Sequence, residues 1–179
     1  MSENSITVRP VSPVLGAEIE GVDLSEPLSN SQFDAIHRAF LDHHVVFFRD
    51  QKLTPDDQIA FGKRFGTLNI HPYVKGMEDH PEILEIIKEP QERINFGGGW
   101  HSDMSFLEEP ALGSVLHALE VPPYGGDTLF ADQQAAYDRL SDGLKATLEG
   151  MTAIHTASKE YGADGYSAAV RQSMDAKAA

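Results

Sequence analysis

Apolar and polar residues follow two different periods along the first third of the chain. They alternate from Ile6 to Val11, which predicts a first strand, and the run from Gly16 to Leu24 predicts a second strand that leads into a turn. A helix is predicted next, and Asn30 or Ser31 is expected to cap it. The apolar face of this helix repeats at i, i+3, i+7 and i+8 and consists of Phe33, Ile36, Phe40 and Leu41.

A second strand-and-helix pair follows directly. The unbroken apolar run Val45–Phe48 contains β-branched and aromatic residues, which is typical of a buried strand. Thr54 then provides a capping hydroxyl, and Pro55 stands at the first position of the next helix. This helix is expected to run to Phe65 and to end at Gly66.

The remaining pattern predicts more strands than helices. Helices are expected at 135–140 and at 144–151, the second capped by Ser141, and residues 91–99 form a loop around three glycines. The predicted strands are Glu82–Ile87, Val115–Val121, Thr128–Phe130 and Thr152–Thr156. Many short strands with a few helices outside them predict a mainly β fold with flanking helices, a sandwich or barrel, in one domain over residues 1–179.

Composition and charge narrow the classes of partner. The formal net charge is −14 at neutral pH, so the surface as a whole repels nucleic-acid phosphates and anionic lipid. An anionic substrate would therefore need a local cationic patch, for which Arg64, Lys88 and Arg93 are candidates. The chain has no cysteine, no secretory signal and no apolar run that could cross a bilayer, so a cytoplasmic location is expected.

Candidate chemistry is concentrated at Trp100-His101-Ser102-Asp103. The two side chains are expected to point the same way from a strand or a turn. Residues i and i+2 lie on one face in period-two geometry, so His101 and Asp103 can share an ion while Ser102 faces away. Two histidines and a carboxylate form the facial triad of non-haem Fe(II) oxygenases, and this pair supplies two of the three ligands. The alternative is a surface turn in which Asp103 accepts a hydrogen bond from His101.

The sequence around this pair resembles a known family. Residues 97–110 read GGGWHSDMSFLEEP and residues 121–130 read VPPYGGDTLF. Together with the segments 16–24 and 64–66, they resemble the TauD/TfdA family of Fe(II)- and 2-oxoglutarate-dependent dioxygenases, from about Ile6 to at least Tyr161. The resemblance implies a double-stranded β-helix, or jelly roll, that uses Fe(II), 2-oxoglutarate as co-substrate and O2. It also implies hydroxylation of a small organic anion, with release of succinate and CO2.

The resemblance also implies roles for individual residues. His101 and Asp103 match the first two iron ligands of the family, and Thr128 matches the residue whose hydroxyl binds a carboxylate of 2-oxoglutarate. His71 matches a histidine that contacts the anionic group of the substrate in taurine-using members, with Tyr73 lining the same pocket. A loop histidine bonded to the backbone is the equal alternative for His71.

Two features leave the substrate open. Phe106 and Trp100 flank the metal pair and either line the pocket, shielding the iron, or belong to the ordinary core. Taurine enzymes place an amide side chain just before the metal motif, where this chain has Phe96-Gly97-Gly98-Gly99. Sulfonates, alkyl sulfates and aryloxyalkanoates therefore all remain as substrate classes.

The family's remaining ligands are expected beyond Ala179. Family members carry their distal histidine and their 2-oxoglutarate-binding arginine in a later segment, and Arg171 stands too early to be that arginine. We therefore expect this chain to be an N-terminal fragment that lacks the closing strands. The alternatives are a binding protein without catalytic turnover, or another metal-dependent jelly-roll enzyme in which His155 completes the site. A homo-oligomer is compatible with the sequence, which does not specify one.

Overall fold

The computed structural model describes residues 6–91 and 96–158. Contacts between residues divide the chain into two compact units, the first formed by Met1–Phe65 and Leu116–Thr152 and the second by Gly66–Val115 and Ala153–Ala179. All the strands and helices named below belong to the first unit. The single domain expected for residues 1–179 stays a prediction.

A three-stranded sheet opens the first unit. Strands β1 (Thr7–Pro10) and β2 (Ala17–Glu20) are antiparallel, and β3 (Val46–Phe47) pairs with β2 in parallel. The chain turns into β2 at Gly16, whose φ is +91° and where a Cβ atom would lie 2.7 Å from a methyl group of Val11. Only glycine fits this turn without strain. All three strands were expected from the apolar pattern, and the structure confirms them.

Helix α1 (Asn30–His43) connects β2 to β3. Its cap is Ser29, one residue before the predicted candidates, because Gln32 completes a reciprocal capping box. The Ser29 hydroxyl accepts from the Gln32 backbone N–H at 3.2 Å, and the Gln32 side chain accepts from the Ser29 backbone N–H at 3.0 Å. Leu41 was expected on the buried face, yet it is 55% exposed. Five residues at about 100° each place it about 140° round the helix from Ile36.

The other three helices also begin at side-chain caps. Helix α2 (Pro55–Lys63) begins after Thr54 as expected, with Asp57 completing its capping box, but it ends before the predicted Phe65. Two bonds from Thr54, one from its hydroxyl and one from its backbone N–H, lower the pKa of the Asp57 carboxyl. Helices α3 (Gln133–Asp138) and α4 (Asp142–Leu148) follow Asp132 and Ser141, so both predicted helices are confirmed with shifted ends.

The core of the first unit lies between the sheet and helices α1 and α2. Its buried members are Ile19, Leu24, Ile36, Ala39 and Phe61. Phe65 packs edge-on against three other phenylalanine rings, with centroid distances of 5.0 to 6.0 Å. Such edge-to-face contacts add to the stabilisation that burial alone provides.

Arg64 joins the end of α2 to the start of α1. Its guanidinium donates to the carbonyl of Leu28 at 3.0 Å and to the side-chain oxygen of Asn30 at 3.2 Å. The guanidinium carbon also lies 4.4 Å from the centre of the Phe33 ring, within the range of a cation–π contact. Arg64 is therefore engaged inside the first unit, which weakens its case as part of a substrate patch.

Four predicted strands are wrong for the described structure. The segments 82–87, 115–121, 128–130 and 152–156 contain no strand. Their apolar side chains are largely exposed, for example Leu119 at 82% and Ile154 at 93%. A strand exists only when it exchanges backbone hydrogen bonds with another strand, and no strand of the described sheet pairs with these segments. What is described is a small mixed sheet with helices, and the jelly roll stays a prediction.

No helix in the described ranges combines the length and the apolar character that a membrane crossing requires.

Candidate metal site around His101 and Asp103

The side chains of His101 and Asp103 face each other at the start of a turn. The Nε2 atom of His101 lies 3.1 Å from Oδ1 of Asp103, and both side chains are about half exposed. Neither residue is in a strand, so of the two expected settings, a strand or a turn, the structure shows the start of a turn. The chain turns immediately after Asp103, where Met104 has a φ of +53° and its carbonyl accepts from the Leu107 N–H at 3.0 Å.

The backbone before the pair orients the imidazole of His101. Its Nδ1 atom lies 2.7 Å from the carbonyl oxygen of Gly99. Because a carbonyl can only accept, Nδ1 is the donor, and Nε2 is the atom presented to Asp103. The triglycine segment passes close by, since a Cβ atom at Gly97 would lie 3.3 Å from Cε1 of His101. The loop is thus closely approached by the His101 ring.

A hydroxyl group orients the carboxylate of Asp103. The Oγ atom of Ser114 donates to Oδ2 of Asp103 at 2.9 Å, while Oδ1 faces His101. Sequence reasoning missed this contact. Ser114 stands eleven residues after Asp103, and no local spacing marks it as a partner.

The donor atoms fit one edge of a metal coordination sphere. Nitrogen and oxygen ligands lie about 2.0–2.2 Å from small divalent metal ions. Two neighbouring ligands of an octahedron are therefore separated by about 3.0 Å. The observed 3.1 Å agrees with that separation. It also agrees with a direct hydrogen bond from a protonated imidazole, the turn that the sequence left as the alternative. A histidine nitrogen and one carboxylate oxygen are donors that suit Fe(II).

The described residues supply two ligands and no third. Among residues 6–91 and 96–158, no group of three or more His, Asp or Glu side chains could hold a metal ion. His155 is exposed and does not join the pair, so the alternative in which His155 completes the site is wrong for this structure. His71 does not complete the site either.

His71 is a loop histidine bonded to the backbone and close to the pair. Its Nδ1 accepts from the backbone N–H groups of Tyr73 at 3.2 Å and Val74 at 3.0 Å. Burial lowers the pKa of His71, and the nearby Asp103 carboxylate partly offsets that effect. A neutral ring that accepts at Nδ1 carries its proton on Nε2, where it acts as a donor. The backbone-bonded alternative is therefore observed, and contact with a substrate stays a prediction.

Aromatic rings extend from His71 towards the segment that follows the metal pair. The rings of His71 and Tyr73 have centroids 6.3 Å apart, and those of Tyr73 and Phe106 have centroids 5.9 Å apart. Trp100 is 71% exposed, so it is not a core residue. It is also the only tryptophan of the chain, which makes its emission specific to this site.

The remaining predicted residues lie elsewhere. Thr128 belongs to the first unit, on an exposed stretch outside the helices and strands, and its role towards 2-oxoglutarate stays a prediction. Arg93 and Arg171 lie outside the described residues. Lys88 is described and lies in the same unit as the metal pair.

Comparisons with known proteins identify the sequence context of this site. A model of the "Taurine catabolism dioxygenase TauD, TfdA family" matches residues 7–178. An alpha-ketoglutarate-dependent 2,4-dichlorophenoxyacetate dioxygenase of Cupriavidus pinatubonensis is 35% identical over 189 residues, which covers 95% of this chain and 66% of the relative.

Two solved structures resemble the fold. A taurine dioxygenase from Burkholderia xenovorans is 39% identical with a TM-score of 0.72, over 82% of this chain and 51% of that chain. The structure of AAD-2 in complex with Mn(II) and N-oxalylglycine is 29% identical with a TM-score of 0.67, over 90% and 57%. The chain spans about half to two thirds of the length of the curated relatives it matches first.

Proposed function

The chain belongs to the TauD/TfdA family, and on this premise we propose that the protein is a Fe(II)- and 2-oxoglutarate-dependent dioxygenase with a jelly-roll fold that hydroxylates small organic anions. The observation that carries the proposal is the convergence of His101 and Asp103. Their facing donor atoms are 3.1 Å apart. The other ring nitrogen of His101 bonds the Gly99 carbonyl, and the other oxygen of Asp103 accepts from the Ser114 hydroxyl. Ligands supported in this way are typical of metal sites.

Each residue of the site has a distinct task in this proposal. His101 and Asp103 would hold the iron through Nε2 and Oδ1. Thr128 would donate its hydroxyl to a carboxylate of 2-oxoglutarate, because bonds to charged acceptors are the stronger kind. When bound, the iron and 2-oxoglutarate supply the oxidation of a substrate C–H bond by O2, with release of succinate and CO2.

His71 would orient the anionic group of the substrate. Its lowered pKa favours the neutral ring, and because Nδ1 accepts two backbone bonds, the ring proton lies on Nε2. A directed donor of this kind is useful in a protein whose net charge of −14 repels anions at long range. Tyr73 and Phe106, whose rings pack together, would cover the pocket and exclude water.

The substrate classes are sulfonates, alkyl sulfates and aryloxyalkanoates. Similarity to a taurine dioxygenase and to a 2,4-dichlorophenoxyacetate dioxygenase supports two of these classes. Glycine at 97–99, where the taurine enzymes carry an amide side chain, counts against taurine itself. A cytoplasmic location and a lack of nucleic-acid and membrane partners belong to the same proposal, supported by the acidic charge.

A second candidate function is binding of a metal ion without turnover. The observation that favours it is that the described residues supply two ligands and no third. Two ligands hold a metal ion more weakly than three, so this candidate expects weak metal binding and no organised complex with 2-oxoglutarate.

The deciding experiment is an anaerobic titration of the purified chain with Fe(II) and 2-oxoglutarate, followed by the visible charge-transfer absorption of the iron–ketoacid complex. Appearance of the band would support the dioxygenase. A folded chain that binds Fe(II) but shows no band would support binding without turnover.

Mn(II) titrations of variants test the metal site itself, with quenching of Trp100 emission as the signal. We expect His101→Ala to weaken Mn(II) binding at least about 10-fold, since it removes one of two protein ligands. His155→Ala is the matched control, because it removes an exposed histidine outside the site and should bind as the parent does. Equal Mn(II) affinity of His101→Ala and the parent would contradict the proposed site.

A further inference from the structure

Ser114 is the one side chain whose hydroxyl bonds to the Asp103 carboxylate in the described structure. Its Oγ atom donates to Oδ2 at 2.9 Å, while the other oxygen, Oδ1, faces His101 at 3.1 Å. The two carboxylate oxygens of Asp103 are thus divided between a hydroxyl and the imidazole. The residue lies eleven positions along the chain, so the contact joins two separate segments of the second unit.

This division matters because a carboxylate can bind a metal through one oxygen or through both. Rotation about the Cβ–Cγ bond of an exposed aspartate exchanges its two oxygens readily, and Asp103 is more than half exposed. A hydroxyl that occupies Oδ2 fixes the plane of the carboxylate and leaves Oδ1 to point at Nε2 of His101. The carbonyl of Gly99 performs the equivalent task for the imidazole at 2.7 Å.

We propose that Ser114 is a positioning residue for the metal ligand Asp103, which holds the carboxylate so that Oδ1 alone faces the ion. The inference rests on the proposed metal site and deepens it. Ser114 would touch neither metal nor substrate, and it acts through Asp103. Its effect is on the orientation of a ligand that water already reaches, because neither side chain is buried.

The chain offers a matched control for this role. Ser102 stands between the two ligands, is exposed like Ser114, and faces no carboxylate in the described contacts. Ser114→Ala therefore removes a hydroxyl that bonds Asp103, and Ser102→Ala removes an exposed hydroxyl that does not. Ser114→Thr keeps the hydroxyl, and its added methyl group has room because position 114 is exposed.

The test measures Mn(II) affinity for the parent and these three variants, by Trp100 emission and by the electron paramagnetic resonance signal of free Mn(II). We expect Ser114→Ala to raise the dissociation constant about 10-fold, the lower end of the range for ligand-supporting residues. Ser114→Thr should restore the affinity to within about 3-fold of the parent, and Ser102→Ala should leave it unchanged. The bound-Mn(II) spectrum should also change in Ser114→Ala, because the carboxylate is free to present both oxygens.

Thermal unfolding of the same variants separates positioning from plain stability. If Ser114→Ala lowers the melting temperature but binds Mn(II) as Ser102→Ala does, the positioning role is overturned while the metal site stands. If the parent binds no Mn(II), or if His101→Ala binds it equally well, the proposed metal site fails and the role of Ser114 fails with it.

Discussion

Replacing Ile36 with alanine should lower the free energy of unfolding by about 3–4 kcal/mol. Ile36 is 0% exposed and belongs to the core between the sheet and helices α1 and α2. The change removes three carbon atoms, worth about 2.4 kcal/mol at roughly 0.8 kcal/mol for each buried methylene group. The cavity that remains adds a further cost, and measured Ile-to-Ala changes in cores fall at about 2–5 kcal/mol.

Leu41→Ala is the matched control for this prediction. It removes the same number of carbon atoms from the same helix, but Leu41 is 55% exposed and lies away from the core, so a loss below about 1 kcal/mol is expected. Urea unfolding followed by the far-ultraviolet circular dichroism of the helices gives both values. Equal midpoints for the two variants would refute the assignment of the buried face.

Two further predictions concern the first unit. Arg64→Lys should lower the free energy of unfolding by about 1–2 kcal/mol. A lysine cannot bond both Leu28 and Asn30 while lying over the Phe33 ring. If Arg64→Lys changes the free energy of unfolding no more than Arg38→Lys, a replacement at an exposed position, this prediction is contradicted. Asp57 has a pKa below the ordinary aspartate value, so its contribution to stability is full above about pH 5 and is lost as the pH falls through the lowered pKa. Urea midpoints at pH 7 and pH 3 should therefore differ less for Asp57→Asn than for the parent, and equal differences would count against the capping box.

Helices could be predicted from the sequence because their signals are local. Thr54 with Pro55 and Ser141 were identified as helix starts, and the structure places caps at Thr54 and Ser141. The cap of α1 was missed by one residue, because Ser29, Asn30 and Ser31 are all good caps. Ser29 is the cap in the structure because it lies three residues before Gln32, and the two residues form a reciprocal capping box.

Strands could be predicted only where their partner is near in sequence or across one helix. The first two strands pair through a short turn, and β3 returns to β2 after α1. The segments 82–87 and 115–121 have equally apolar patterns, but no described strand pairs with them. An apolar pattern shows that a segment favours a strand. A strand also requires a neighbouring strand, which the pattern does not identify.

The metal pair could be predicted from its motif, but its surroundings could not. His101 and Asp103 were identified by type and spacing, and they do face each other. They do so at the start of a turn rather than in a strand, and Met104, directly after Asp103, has a positive φ. Gly99 contributes a backbone carbonyl and Ser114 a distant hydroxyl, and no local sequence pattern indicates either contact.

Residues 66–91 and 96–115 surround this pair and contain neither helix nor strand. In a sheet, ladder bonds would protect the backbone amides near the ligands from exchange with deuterium, but here most of that protection is missing. An ion held by His101 and Asp103 would restrict the backbone that carries these two ligands, so we expect amides around 99–107 to exchange rapidly in the metal-free chain and more slowly with Mn(II). The measured affinity of the metal would then include the entropy lost in ordering the segment that binds it.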